Sequence, residues 1–124
     1  MIAEDLRQRT EEFAGDVIGL CLRLEPDALG RLIQPQLLRA GSGVATNYRA
    51  ARRSRSSKEF ASRLAVVVEE ADESEFWLGV LLKFRRGPEV EKLHSESEQL
   101  RAIFSKSRST TLDRIRAAKR SPGL

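Results

Sequence analysis

The feature that most constrains this chain is the spacing of its apolar residues, which recur every three or four positions. In the clearest segment the intervals alternate between four and three, along Phe60, Leu64, Val67, Ala71, Ser74, Leu78 and Leu81. This spacing places the side chains on one face of an α-helix. No segment alternates with a period of two for long enough to indicate a β-strand. The chain is therefore predicted to be all-α.

Capping and helix-breaking residues divide the apolar stripes into four helices. The first is expected to end near Glu25–Pro26, because proline pushes the preceding residue out of the α region, and Asp27 then suits a cap. The second is expected to become regular close to Pro35, since proline is tolerated only in the first turn. Ser56–Glu59 has the S-x-x-E pattern of a capping box that starts the third helix. Gly87–Pro88 ends that helix.

Two glycines lie in the interior of the second helix, at Gly41 and Gly43. Each costs roughly 0.5–1 kcal/mol relative to alanine in a helix, so something should offset the cost. Close approach of a neighbouring helix is one explanation, and a kink in the second helix is the other.

The fourth helix follows Pro88, and its helical character is expected to weaken past Ser105, where serine and threonine are frequent. Four helices with short connections are expected to pack as an up-down-up-down four-helix bundle. The predicted organisation is a bundle domain over residues 1–111 and a basic C-terminal tail over residues 112–124, partly helical or disordered. In this arrangement Arg39 lies opposite Asp72 and Glu73, which predicts structural ion pairs.

Charge alternates along the chain in blocks that the net charge of +4 conceals. Residues 31–63 hold eight basic side chains and one acidic one, and residues 101–124 hold seven and one. Residues 1–30 and 64–100 are net acidic. Such blocks either pair with one another inside the fold or present a basic surface to a polyanion. The sequence leaves both explanations open.

The C-terminal half of the third helix is apolar nearly all round, although a bundle helix needs only one apolar stripe. A second apolar face is typical of a contact with another subunit. The residues predicted for such an oligomer interface are Phe76, Trp77, Val80 and Phe84. In the alternative, the first and fourth helices cover both faces.

The residues of ordinary enzyme and metal sites are scarce in this chain. Cys21 and His94 are its single cysteine and single histidine, which excludes an internal disulfide and a Cys/His metal centre. Glu91 and His94 form one E-x-x-H pattern, whereas a di-iron bundle requires two. We therefore predict no enzyme activity, no cofactor and no metal. The lone cysteine, the acidic N-terminus and the short apolar runs predict a cytoplasmic protein with no membrane partner.

Three segments agree in order and spacing with one known family, and they are LLRAGSGVATNYRAA (37–51), RSRSSKEF (53–60) and VEEADESEFWL (68–78). They resemble a bacterial four-helix-bundle family first noticed as proteins encoded in intervening sequences of 23S ribosomal RNA genes. The accessory variability protein of diversity-generating retroelements is related to it. The resemblance covers roughly residues 5–111. It implies an up-down bundle that assembles as a cyclic homopentamer and has no established catalytic activity.

The accessory relatives bind nucleic acid and a reverse transcriptase through a basic surface. The resemblance therefore implies an oligomeric adaptor that contacts RNA or DNA, with a reverse transcriptase or another nucleic-acid enzyme as a further partner. The corresponding basic residues here surround the connection between the second and third helices, at Arg49, Arg52, Arg53, Arg55 and Lys58. The tail adds Arg114, Arg116, Lys119 and Arg120. The alternative is a protein–protein interaction scaffold without nucleic-acid binding, whose arginines pair with acidic residues.

Overall fold

A computed structural model describes residues 3–120, which form four α-helices without a β-strand in that range. The helices are α1 (Ala3–Leu22), α2 (Ala28–Arg52), α3 (Ser57–Phe84) and α4 (Pro88–Arg120). The prediction of an all-α chain with four helices is confirmed. None of these helices is long and apolar enough to cross a membrane.

Consecutive helices run in opposite directions. The side chain of Gln34 donates a hydrogen bond to the carbonyl oxygen of Cys21 (2.9 Å), and Gly41 lies against Val17. Residue numbers therefore rise along α2 as they fall along α1. The same relation joins α2 to α3 and α3 to α4, through the pairs Arg39–Glu73, Gly43–Glu70, Glu75–Arg101 and Gly79–His94. The bundle is arranged up, down, up, down.

Local side-chain contacts fix where α2 and α3 begin. Asp27 caps α2 by accepting a hydrogen bond from the backbone N–H of Gly30 (3.0 Å). Ser56 caps α3 in the same way, accepting from the backbone N–H of Glu59 (3.1 Å). The Glu59 carboxylate in turn accepts from the backbone N–H of Arg55 (3.2 Å). These contacts satisfy amide groups that would otherwise lack partners at a helix start.

Two predicted helix bounds are wrong. α1 ends at Leu22, before the expected stop at Glu25–Pro26, and α2 begins at Ala28 with Pro35 in its interior. Pro35 removes the hydrogen bond to the carbonyl of Arg31. Both residues lie on the exposed face of α2, where water can hydrate that carbonyl. The cap at Asp27 therefore sets the start of α2, and the proline is accommodated seven residues later.

α4 continues without a break to Arg120, so the expected weakening past Ser105 is also wrong. Thr111 is buried, and its hydroxyl donates a hydrogen bond to the carbonyl oxygen of Ser107 (2.9 Å) within the helix. The threonine satisfies its polar group without leaving the helical conformation. Residues 112–120 of the predicted tail therefore extend α4, and residues 121–124 lie outside the described part of the chain.

An apolar core runs along the bundle axis and receives side chains from all four helices. Burying each large apolar side chain contributes about 1.5–3 kcal/mol relative to exposure. The largest fully buried apolar side chains are Phe13, Val17, Ile33, Leu37, Val44, Leu64, Val67, Leu78, Leu81, Leu100 and Phe104.

The two interior glycines of α2 make room for side chains of neighbouring helices. A Cβ atom on Gly41 would lie 2.5 Å from Cγ1 of Val17 in α1, and a Cβ on Gly43 would lie 2.7 Å from Oε2 of Glu70 in α3. Such distances are too short for a real contact. Close helix approach is therefore the explanation for these glycines, since α2 is one continuous helix.

Candidate nucleic-acid interface

The basic residues that the sequence predicts as a binding site lie around the α2–α3 turn, at one end of the bundle. Arg49 and Arg52 lie in the last turn of α2, and Arg53 is its C-cap residue. Arg55 lies in the connection, and Lys58 lies in the first turn of α3. All five side chains are exposed. This end of the bundle, with these five residues and the last turns of α4, is termed the basic end.

Helix stability accounts for only part of this arrangement. A cation in the last turn of a helix interacts favourably with the helix dipole, which suits Arg49 and Arg52. Lys58 occupies the first turn of α3, where the same dipole disfavours a positive charge. The local structure therefore does not explain why cations continue across the turn.

α4 brings further cations to the basic end. Arg114 and Lys119 line a surface depression together with Ser57 at the start of α3. Arg116 pairs with Asp113 (3.4 Å). Arg114, Lys119 and Arg120 have no carboxylate within 4 Å among the described residues. Because α4 is helical to Arg120, its backbone holds Arg114 and Lys119 beside the start of α3.

The five basic residues of the α2–α3 turn form no ion pair with an acid of the part of the chain that the structure describes. Within residues 5–120, no carboxylate oxygen lies within 4 Å of the side-chain nitrogens of Arg49, Arg52, Arg53, Arg55 or Lys58. Glu59 is close in sequence, but its carboxylate contacts Arg63 (3.1 Å). The charges of the turn are therefore exposed to solvent and available to an external anion.

The opposite end of the bundle holds the α1–α2 and α3–α4 connections and is termed the paired end. Here Arg23 contacts Glu89, Arg85 contacts Asp27, and Arg86 contacts Glu91. Arg31 donates to the backbone carbonyl of Pro26. The pKa of Asp27 is held below its usual value, mainly by the hydrogen bond that its carboxylate accepts from the backbone N–H of Gly30. The contact with Arg85 lowers this pKa further.

Arg39, in the middle of α2, is held by acids of α3. It contacts Glu73 and lies 3.9 Å from Glu70. Asp72 instead lies 4.0 Å from Arg101 of α4, because consecutive residues of a helix point about 100° apart. Arg39 and Glu73 are therefore brought together, and the predicted contact of Arg39 with Asp72 is replaced by one across a different helix pair.

A groove of about 360 Å³ opens between α1 and α2 at the basic end. It is lined by Arg7 and Glu11 of α1 and by Arg49, Arg52 and Arg53 of α2. Arg7 is not among the sequence-predicted residues, because it lies in an acidic block of the chain. The antiparallel pairing of α1 with α2 is the signal that places residue 7 beside residues 49–53.

The aromatic ring adjacent in sequence to Arg49 is not available for stacking. Tyr48 is only 4% exposed, and its ring packs against that of Phe104 with centroids 4.9 Å apart. Burial raises the pKa of the Tyr48 hydroxyl. The basic end therefore offers guanidinium and ammonium groups, and Tyr48 belongs to the core.

The predicted oligomer face of α3 is partly open. Phe76 and Phe84 are 60% and 63% exposed, whereas Trp77 and Val80 are partly buried against the core. The Phe76 and Trp77 rings meet edge to face at 4.9 Å. The Trp77 Nε1 atom is buried without a hydrogen-bond acceptor in the described residues. The first and fourth helices therefore leave two large aromatic side chains of this face uncovered.

Cys21 and His94, the residues considered for chemistry, lie within α1 and α4. Burial raises the pKa of the Cys21 thiol to about 11, so the thiol stays protonated near neutral pH. His94 Nδ1 lies 3.0 Å from a carboxylate oxygen of Glu98. Within the part of the chain that the structure describes, no group of three His, Cys, Asp or Glu residues is placed to hold a metal ion.

A scan against protein-family models gives no match, and neither does a search of the curated proteins. Among solved structures, the chain is similar to a crystal structure of a protein with unknown function from the S23 ribosomal protein family of Bacteroides thetaiotaomicron VPI-5482. The two are 24% identical, and the match covers 80% of this chain and 94% of that chain with a TM-score of 0.72. At this level of identity the likeness shows that the two proteins share a four-helix fold.

Proposed function

We propose that this protein is a non-enzymatic, oligomeric adaptor that binds RNA or DNA through the basic end. The observation that carries the proposal is the set of five exposed cations at the α2–α3 turn, none of which has a carboxylate partner within residues 5–120. A nucleic-acid backbone would supply the missing negative charge, and the release of its condensed counterions would drive binding.

The pattern of ion pairs favours this function over a protein–protein scaffold. A scaffold of the kind considered above would pair its arginines with acids of α3, as Arg39 does with Glu73. Arg49 and Arg52 lie on the same helix as Arg39 and Arg53 is its C-cap residue, and none of the three has such a partner in the described residues. Binding of an acidic protein instead of a nucleic acid would be the outcome that supports the scaffold.

The proposed binding has little sequence specificity. Arginine and lysine contacts to phosphates position a nucleic acid without reading its bases. Sequence-tolerant binding of single strands usually adds aromatic side chains on which bases stack, and Tyr48 is buried in the core. Affinity is therefore expected to depend on salt concentration and strand length more than on sequence.

Self-association completes the proposal. Phe76 and Phe84 expose a pair of aromatic rings that a second copy would cover, and the family resemblance implies a ring of five. A ring would multiply weak phosphate contacts through effective concentration. The name of the structurally similar protein's family is in keeping with this resemblance, and a cytoplasmic location with a reverse transcriptase or other nucleic-acid enzyme as partner stays a prediction.

Light scattering coupled to size exclusion tests the assembly. The native protein is expected to elute as an oligomer, and a particle of 13.9 kDa would contradict the ring. The double substitution Phe76→Ser, Phe84→Ser should give monomers. Leu22→Ser is the control, because Leu22 is 74% exposed but lies outside the α3 face, and it should leave the assembly intact.

Fluorescence anisotropy with labelled RNA and DNA tests the binding. We expect measurable affinity at about 50 mM salt that falls steeply by about 200 mM. The variant with Arg52→Gln, Arg53→Gln and Arg55→Gln should bind more weakly and melt at the same temperature. No binding at low salt, or an affinity that does not respond to salt, would contradict the proposal. A variant that no longer folds would show that these arginines are structural.

A further inference from the structure

We propose that the groove lined by Arg7, Arg49, Arg52 and Arg53 binds a terminal phosphate monoester of a nucleic-acid strand. This rests on the proposed function and adds a preference for strand ends over internal positions. The groove lies between α1 and α2 at the basic end and has a volume of about 360 Å³.

The groove has the geometry of a site for a compact anion. Arg52 and the C-cap residue Arg53 follow Arg49 by three and four positions, so both lie about one turn beyond it, and all three side chains line the groove. Arg7 reaches the same groove from α1. A guanidinium group presents its N–H donors in a planar fork that matches two phosphate oxygens at once. Donors from two helices can therefore surround a phosphate group.

The charge of the groove suits a monoester better than a diester. Its lining includes four guanidinium groups and one carboxylate, that of Glu11. Glu11 lies 3.5 Å from Arg7 and offsets one of the four positive charges, so the residues lining the groove keep a formal charge of +3. A phosphate monoester carries a charge of about −1.5 to −2 at pH 7 and three terminal oxygens. An internal phosphodiester carries a single negative charge and two such oxygens.

The other cations of the basic end occupy a separate surface. Arg114 and Lys119 of α4 line a depression with Ser57 at the start of α3, and neither lines the groove between α1 and α2. Among the described residues no aromatic side chain lines the groove, so they offer no stacking surface for a base. The groove is thus suited to the end of a nucleic-acid strand, and the α4 cations are suited to the internal phosphates that follow this end.

Three versions of one short oligonucleotide test this inference, with a 5′-phosphate, with a 3′-phosphate, or with hydroxyl groups at both ends. We expect at least one phosphorylated strand to bind about tenfold more tightly than the hydroxyl strand. The 5′ and 3′ versions identify which end the groove accepts. Anisotropy at constant salt gives all three affinities.

The double variant Arg49→Gln, Arg52→Gln should remove this preference. The control variant Arg114→Gln, Lys119→Gln removes the same charge and should weaken all three strands while keeping the preference. If the double variant melts early, Arg7→Gln tests the groove from α1, where the side chain is half exposed.

Equal affinity of the native protein for all three strands would overturn the inference. A preference for a phosphorylated strand that survives in both groove variants would also overturn it. Salt-dependent binding with equal affinities would leave the proposed function standing. Absence of binding to every strand would overturn both.

Discussion

Arginines are frequent at both ends of the bundle, but they contact different groups at each. At the paired end, Arg23 and Arg85 contact Glu89 and Asp27 across the connections. At the basic end, Arg49 and Arg52 have no carboxylate within 4 Å among the described residues. The comparison teaches that the pairing of arginines, rather than their number, distinguishes a structural charge from a candidate binding charge.

The largest expected effect concerns the contact between α1 and α2, on which both ends depend. Gly41→Ala should lower the free energy of unfolding by about 1–3 kcal/mol, because its Cβ would lie 2.5 Å from Cγ1 of Val17. Urea denaturation measures this change. If α1 and α2 separate to admit the methyl group, the groove between Arg7 and Arg49 also widens.

Gly15→Ala is the matched control for this substitution. Gly15 is an exposed interior residue of α1, and a Cβ there would meet no atom within 4 Å. This change should raise the free energy of unfolding by about 0.5–1 kcal/mol. Equal stability of the Gly41→Ala and Gly15→Ala variants would contradict the close packing of α1 on α2.

A second prediction compares the stability of two charge-matched variants. The paired-end triple is Arg23→Gln, Arg85→Gln and Arg86→Gln. The basic-end triple is Arg49→Gln, Arg52→Gln and Arg53→Gln. The paired-end triple should lose about 1–2 kcal/mol in total, since each ion pair is partly exposed and contributes about 0.2–1 kcal/mol. The basic-end triple should lose nothing, because none of its arginines has an ion pair within residues 5–120 and their replacement removes repulsion between like charges.

Thermal melting in low and high salt measures both effects. Added salt should stabilise the native protein through screening at the basic end, and this response should shrink in the basic-end triple. A basic-end triple that is less stable than the paired-end triple would show that its arginines hold the fold together.

The smallest expected effect lies between the two ends, at Glu70. Burial raises the pKa of this carboxyl, whose Oε2 atom has no hydrogen-bond partner in the described residues and lies 3.9 Å from Arg39. The folded state therefore binds the Glu70 proton more tightly than the unfolded chain does. Glu70 consequently favours folding less as the pH rises above the ordinary glutamate pKa of about 4.3.

Glu70→Gln should accordingly raise the free energy of unfolding at pH 7, by less than about 1 kcal/mol. The gain should shrink as the pH falls through the ordinary glutamate pKa, because the Glu70 carboxyl of the native protein becomes protonated in the folded and the unfolded state. Glu73→Gln is the control, because it removes the contact with Arg39 and should give no gain. A gain for Glu70→Gln that grows toward acidic pH would contradict this reasoning.

The parts of the fold that depend on local sequence could be predicted. The cap at Asp27 and the capping box at Ser56 are set by hydrogen bonds within four residues. The position of Pro35 inside α2 and the helical conformation of residues 105–111 could not be predicted, because both depend on tertiary packing. The proline faces solvent, and burial of Thr111 against the bundle keeps α4 helical beyond the point where its composition favours a helix.

The candidate site divides in the same way. The five cations from Arg49 to Lys58 lie within a segment of ten residues, so one turn brings them together. Arg7 could not be found without the antiparallel packing of α1, which places it across the groove from α2. Whether an arginine is paired depends on side-chain directions, which is why Arg39 contacts Glu73 while its predicted partner Asp72 faces α4.

The affinities of the two triple variants for one RNA strand test the central claim most directly. Both variants lose three positive charges, but at opposite ends of the bundle. The basic-end triple should bind about a hundredfold more weakly, and its slope of log affinity against log salt should fall by about 3. The paired-end triple should stay within about twofold of the native protein. Equal losses in the two variants would show that net charge alone governs binding and would contradict the assignment of the basic end.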